Sequence, residues 1–236
     1  MNRFALLFLL LVSTVLAQDA SKARAAFDKA DRGLNEAWAA VKKALPTTEV
    51  TALTADQRSW VAYRDHLARS PMFTGADGRD EFSLDSAPYL EAAADLTKTR
   101  TEWLWGWIRY KDDDTLTGIW EDSYGGQVEI VQKDNQLHFS LTAVRGPTSH
   151  TGELSGIAKW NRPLGWFSDL ATEPGKDGGE TNLAFVLRGQ ALEIIGANTG
   201  FYHGARAYFD GRYIKIAHLD SKAQAKLLKG TAVRER

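Results

Sequence analysis

The chain has 236 residues, 44% hydrophobic and 25% charged, which argues against intrinsic disorder and suffices for one large domain or two small ones. A formal net charge of -1 gives no basic field to draw nucleic acid, so that partner class is set aside. Cysteine is absent, which excludes disulfides, a thiol nucleophile and the lipid-acceptor residue of a bacterial lipoprotein.

The first stretch, MNRFALLFLLLVSTVLA, carries one positive charge (Arg3), an unbroken apolar run and then Val15-Leu16-Ala17 before a polar segment. It reads as a signal peptide over residues 1–17, cleaved near Ala17–Gln18. The run is too short for a comfortable membrane span, so a soluble, periplasmic or secreted chain without stable membrane insertion is expected.

From Gln18 to about Lys111 apolar residues recur at helical spacing. Phe27, Ala30, Leu34, Trp38, Val41 and Leu45 form one stripe, and Pro46 stops that helix because it cannot donate the next hydrogen bond. A second helix over roughly Thr48 to Arg69 carries Leu53, Trp60, Val61 and Leu67. A third over roughly Ala87 to Arg109 carries Leu90, Ala93, Leu96, Leu104, Trp107 and Ile108. Between them SPMFTGADGRDEFSLDS reads as a loop, broken by Pro71, Gly75 and Gly78. Trp103, Trp105 and Trp107 alternate, so they cannot share one helical face. They are expected to plug the junction of the helices with the following half, or else to offer an aromatic contact to a partner.

Asp112-Asp113-Asp114 separates the halves as a solvated hinge. Beyond it the period changes to two. GIWED, QVEIVQK, QLHFSLTAVR, TGELSGIAKW, LGWFSDL, TNLAFVLR, QALEIIGA and GRYIKIA read as eight strands, punctuated by Asp-Asn, Gly-Pro, Pro-Leu-Gly, Lys-Asp-Gly-Gly and Arg-Gly. The fold class is α+β: an antiparallel helical bundle or hairpin of about three helices, then a small antiparallel β-barrel or sandwich. The expected organisation is a helical domain over 18–111, a β domain over 115–217 and a basic C-terminal tail over 218–236, either a short basic helix or, as the favoured reading, a solvated tail.

No glycine-serine-glycine elbow, paired-histidine helix or phosphate loop is present. The five histidines, at 66, 138, 150, 203 and 218, fall at no metal-ligand spacing on one element. No catalytic residue, metal or cofactor is expected, and the protein reads as a non-enzyme.

Three blocks resemble the LprI family of exported bacterial proteins, named for a lysozyme inhibitor: Asp31-Arg-Gly-Leu34-Asn35-Glu-Ala-Trp38, Gln57-Arg58-Ser-Trp60-Val-Ala-Tyr63-Arg64-Asp65, and Thr97-Lys-Thr-Arg100-Thr-Glu-Trp-Leu104. The resemblance covers roughly Phe27 to Leu104, with the middle block the most specific. The family's usual cysteine pair is replaced here by the segments His66-Leu-Ala-Arg and Ala92-Ala-Ala-Asp. That paired loss removes about 3 kcal/mol of cross-link stabilisation, which packing must replace. The strand-rich half resembles a domain that often follows this module, through His150-Thr-Gly152-Glu-Leu-Ser-Gly156 and Phe209-Asp-Gly211-Arg-Tyr213. Ser155-Gly156 followed by Lys159 is similar to the Ser-Gly loop of barrel-type lysozyme inhibitors, with lysine where tyrosine is expected.

Gln57, Trp60, Arg64 and Leu67 lie three or four apart on one face, whereas Arg58 and Asp65 fall elsewhere. An Arg64 fork on that face needs a carboxylate or carbonyls, available from Asp31, Asn35 or Glu102. The signature is therefore read as a buried polar network, with a direct contact surface for lysozyme as the rival. The resemblance implies a protein that blocks a muramidase cleft. Candidate contacts are Arg145, His150, Ser155, Lys159, Tyr202 and His203, whose donors could pair with catalytic carboxylates. Two other classes stay open. One is a carrier whose barrel mouth, lined by Trp120, Trp160, Trp166 and Phe167, holds an amphiphile or peptidoglycan fragment; the other is an envelope interaction module using the tryptophan-rich helix end.

Overall fold

The computed structural model describes residues 3–169 and 179–234, and the side chains of 19–169 and 179–231. The side chains of the leader, and the first three residues of the Lys-Asp-Gly-Gly turn, lie outside those bounds. The chain divides into two compact units, Met1–Thr101 and Glu102–Arg236. Among the described residues no helix is long and apolar enough to cross a membrane.

The first unit is helical. It comprises α1 (Arg3–Ala44), α2 (Thr47–Ala68), a single-turn α3 (Pro71–Thr74) and α4 (Ala87–Arg109) as far as Thr101. The stretch expected to be all loop thus contains α3, because Ser70 accepts from the Phe73 amide as its N-cap and Pro71 takes the first helical position. In α1 the buried residues are Ala23, Ala30, Leu34, Ala37 and Val41. Ala37 therefore replaces Trp38 in the expected stripe, and Trp38 stays half-buried with the Lys42 ammonium over its ring. Ala23, Ala68, Tyr89, Leu90 and Ala93 form one core cluster that draws on three helices. Mid-α1 meets late α2, and late α2 meets early α4, so the long helices run antiparallel in turn.

The second unit is a closed, eight-stranded antiparallel meander in which each strand pairs with the next and β8 returns to β1. Its strands are β1 (Gly118–Glu121), β2 (Gly126–Lys133), β3 (Gln136–Arg145), β4 (His150–Asn161), β5 (Leu164–Ser168), β6 (Asn182–Arg188), β7 (Ala191–Ala197) and β8 (Gly211–Ala217). Closure leaves no edge strand, and the alternation seen in the sequence sends one residue in two inward. Those inward residues fill the barrel: Val128, Ile130, Leu137, Phe139, Leu141 and Phe185 are fully buried. Trp120, Trp160 and Phe167 belong to this packed core, while Trp166 stands on the outer wall at 50% exposure. The carrier reading needs a mouth lined by these four aromatics, and the filled core counts against it. Three of them are the filling, and the fourth points away.

The last two turns of α4, from Glu102, pack on the barrel. Trp103 and Trp107 are one turn apart, both buried, with rings edge-to-face at 5.9 Å; Trp103 Nε1 donates to the Glu121 carbonyl at 2.9 Å. Gly106 between them lies so close to β8 that a Cβ would come within 2.5 Å of the Lys215 carbonyl oxygen. Only glycine permits that approach. Trp105 points elsewhere and is stacked by Arg109, so two of the three tryptophans are unavailable to a partner.

The expected solvated tail is also corrected. It forms α5 (Ser221–Arg234), whose Leu227 is buried with Leu219 and Val131 of β2, while the buried Thr231 meets His138 Nδ1 at 2.8 Å. Leu219, Ala223, Leu227 and Thr231 recur at four-residue spacing, a helical stripe that the high lysine content obscured.

Candidate functional site

The signature residues of the first unit converge on Trp60. Its ring carries the Arg64 guanidinium at 5.7 Å and the Arg100 guanidinium at 5.3 Å. Arg100 is the more deeply placed of the two. From α4 it donates Nε to Gln57 Oε1 at 2.9 Å and Nη2 to Asp56 Oδ2 at 2.5 Å, with its side chain 1% exposed. A guanidinium fork satisfied by an amide oxygen and a carboxylate holds two helices in one register.

Arg64 does a related job between three helices. It lies 5.3 Å from the Phe27 ring of α1 and donates Nε to its neighbour Asp65 at 2.9 Å; the same carboxylate oxygen accepts the Tyr89 hydroxyl of α4 at 2.8 Å. Burial raises the Tyr89 pKa, and the Asp65 charge adds to that, so the phenol remains a donor. The expected carboxylate sources are corrected: Asp65 serves Arg64, whereas Asn35 donates to Asp31 within α1 and Glu102 pairs with Arg109. Leu34 is buried and Tyr63 half-buried. Phe27 of the expected α1 stripe joins the cluster, and Asp56 and Tyr89, which sequence reading did not single out, complete it. Asp56 directly precedes Gln57, so the helical face that suggested Gln57 excluded its neighbour.

In the second unit the connections at 122–125, 146–149 and 198–210 lie at one end of the barrel. Arg145, His150, Tyr202 and His203 are all at this end. Arg145 does not reach out of it. Its side chain is 4% exposed, pairs with Asp122 at 2.6 Å, donates to the Tyr208 carbonyl at 3.1 and 3.2 Å and lies 4.2 Å from the Tyr208 ring. Asp122 is in turn saturated by the amides of Tyr124 and Gly126. Burial opposes the Arg145 charge, but the Asp122 hydrogen bond and charge outweigh it and raise its pKa. The role of outward donor expected for Arg145 is thus corrected, because its guanidinium is consumed in a buried pair.

The remaining candidates are spread out. Tyr202 donates to Asp169 at 2.9 Å, and His203 Nε2 lies 2.9 Å from Thr199 Oγ1. Ser155 Oγ donates to Ser140 Oγ at 3.1 Å, in mid-strand rather than in a loop, and Gly156 beside it makes room for the Phe167 ring inside the barrel. Lys159 is exposed further along β4, opposite Gln136 and Trp166. No three-residue metal-ligating group occurs among the described residues.

The helical blocks fall inside a match to a family model. Residues 16–104 match the family lysozyme inhibitor LprI. The LprI match takes in α2 and every signature residue from Asp31 to Arg100, and it stops in α4 before the first strand. No curated protein and no solved structure matches the chain.

Proposed function

We propose that this is an exported, non-enzymatic protein of the LprI type, which binds a muramidase and blocks its cleft. The supporting observation is the LprI match over residues 16–104, which coincides with the Trp60-centred cluster. On this reading the leader over 1–17 is removed and the chain acts in the periplasm or outside the cell. Residues 18–111 are the binding module, 115–217 an accompanying β domain, and 218–236 its tail, which contains α5.

Because Trp60, Arg64 and Arg100 are buried, the signature maintains the fold and the enzyme must meet an exposed part of the helical unit. The connection between α3 and α4 fits that need. It carries Asp77, Asp80, Glu81 and Asp85 against Arg79, beside Met72 at 69% and Leu84 at 54% exposure. It is held in place rather than loose, since Arg69 donates to the Phe82 carbonyl, accepts the Phe82 amide on its own carbonyl and pairs with Glu81 at 2.8 Å. An anchored acidic loop with exposed apolar side chains complements a basic muramidase: the charges steer encounter and the methionine and leucine are desolvated on docking. The barrel-end reading loses its principal donor with Arg145.

Isothermal titration of the chain from Gln18 with a basic c-type lysozyme tests the proposal. A saturable one-to-one heat that weakens with salt is expected. An absence of heat at low ionic strength would rule it out.

A further inference from the structure

A second polar feature lies on the outer wall of the barrel, beside α5. Glu129 of β2, Ser140 of β3 and Ser155 of β4 stand in one cross-strand row, Glu129 opposite Ser140 and Ser140 opposite Ser155. Their neighbours Val128, Leu141 and Leu154 point into the core, so this row faces outward. The adjacent row, Val131 and His138, is covered by α5. Where α5 lifts off, it leaves a cleft of about 330 Å³ between the row and the helix residues Lys226, Gly230 and Thr231.

Three properties make this a built cleft rather than a surface wrinkle. Its volume lies within the range of small-molecule sites. A carboxylate on the strand wall and an ammonium on the helix wall line the same space, yet no ion pair joins Glu129 to Lys226. Gly230 sits inside a fourteen-residue helix, where glycine costs about 1 kcal/mol against alanine. An added Cβ there would meet nothing within 4 Å, so packing does not require the glycine. Gly230 lines the cleft, and a large side chain there would take up its space.

We propose that this cleft binds a small zwitterion, an amino acid or short peptide with free ends. Lys226 receives the carboxylate, Glu129 receives the ammonium, and the Ser140 and Ser155 hydroxyls line the floor between them.

The test is a ¹⁵N-HSQC titration of the whole chain with alanyl-alanine, using N-acetylalanine, alanine amide and glucose as controls. Saturable shifts of the Gly230 and Thr231 amides are expected with the dipeptide. The single-charge probes and glucose should bind about tenfold or more weakly, the scale of one lost charge-assisted hydrogen bond. Glu129→Gln and Lys226→Gln, both at partly or fully exposed positions, should each weaken the dipeptide by about tenfold for the same reason. Gly230→Leu should abolish binding with an unchanged or higher melting temperature. Equal binding of glucose or a single-charge probe, no effect of either charge removal, undiminished shifts in Gly230→Leu, or no saturable shift in the unaltered chain would each overturn it.

Discussion

Arg100 of α4 reaches Gln57 of α2 at 2.9 Å and, with the same guanidinium, Asp56 at 2.5 Å, while its flat face covers the Trp60 ring. Removing that fork takes its donors away from Gln57 and Asp56 beside a buried tryptophan. Arg100→Ala is expected to lower stability by about 2–4 kcal/mol, measured by urea denaturation. Arg100→Lys should recover less than half, because a single ammonium cannot span both acceptors. Full recovery by lysine would show that charge alone matters.

Arg64 is bonded to its neighbour Asp65 and stacked on Phe27 and Trp60, so its loss breaks fewer interhelical bonds. Arg64→Ala should cost about 1–2 kcal/mol, less than Arg100→Ala, in the same denaturation series. The reverse ranking would put the hub on α2.

In the barrel, Arg145→Ala strands the buried Asp122 carboxylate and is expected to cost about 3–5 kcal/mol. The Arg145→Met/Asp122→Leu double variant should be the more stable of the two, since it leaves no buried charge. Circular dichroism melts read both.

Asp113 accepts Lys215 Nζ at 2.7 Å. Burial tends to raise the Asp113 pKa, but the Lys215 hydrogen bond and the Thr115 amide overcome it and hold it below the usual carboxylate value. A depressed folded-state pKa means stability that is present above the ordinary value near 3.8 and lost as pH falls through the lowered one. Asp113→Asn should therefore melt earlier than the unaltered protein at neutral pH, with the gap closing in strong acid. A gap independent of pH would assign the effect to packing.

Much of the architecture was legible because hydrophobic period tracks secondary structure: the switch from helical to alternating spacing after Lys111 marks where strands begin, and all eight strands lie within a few residues of their expected places. Asp134-Asn135 was a readable turn for a related reason, since aspartate tolerates the positive φ of 52° found there. What period could not give was partnership. Arg64 and Arg100 share a signature, but only the packed helices show that Gln57 and Asp56 face Arg100. Arg145 looked like a loop donor because it ends a strand beside Gly146. Its partner Asp122 lies 23 residues away in sequence and was not foreseeable from local pattern. The α5 stripe was hidden by lysines that remain on its solvated side.

The acidic connection before α4 is expected to matter for binding but not for folding. Asp77→Asn, Asp80→Asn and Glu81→Gln together should weaken lysozyme binding by about tenfold at low salt and less at high salt, with an unchanged circular dichroism spectrum. Equal affinity at low salt would remove this loop from the contact.

The most direct measurement is the rate at which a c-type lysozyme clears a suspension of bacterial cell walls in the presence of the protein from Gln18. Clearing should slow in proportion to added protein and stop near equimolar ratio, with the Asp77, Asp80 and Glu81 variant shifting that curve to higher concentration. A clearing rate unaffected by the folded protein in molar excess would contradict lysozyme inhibition as its function.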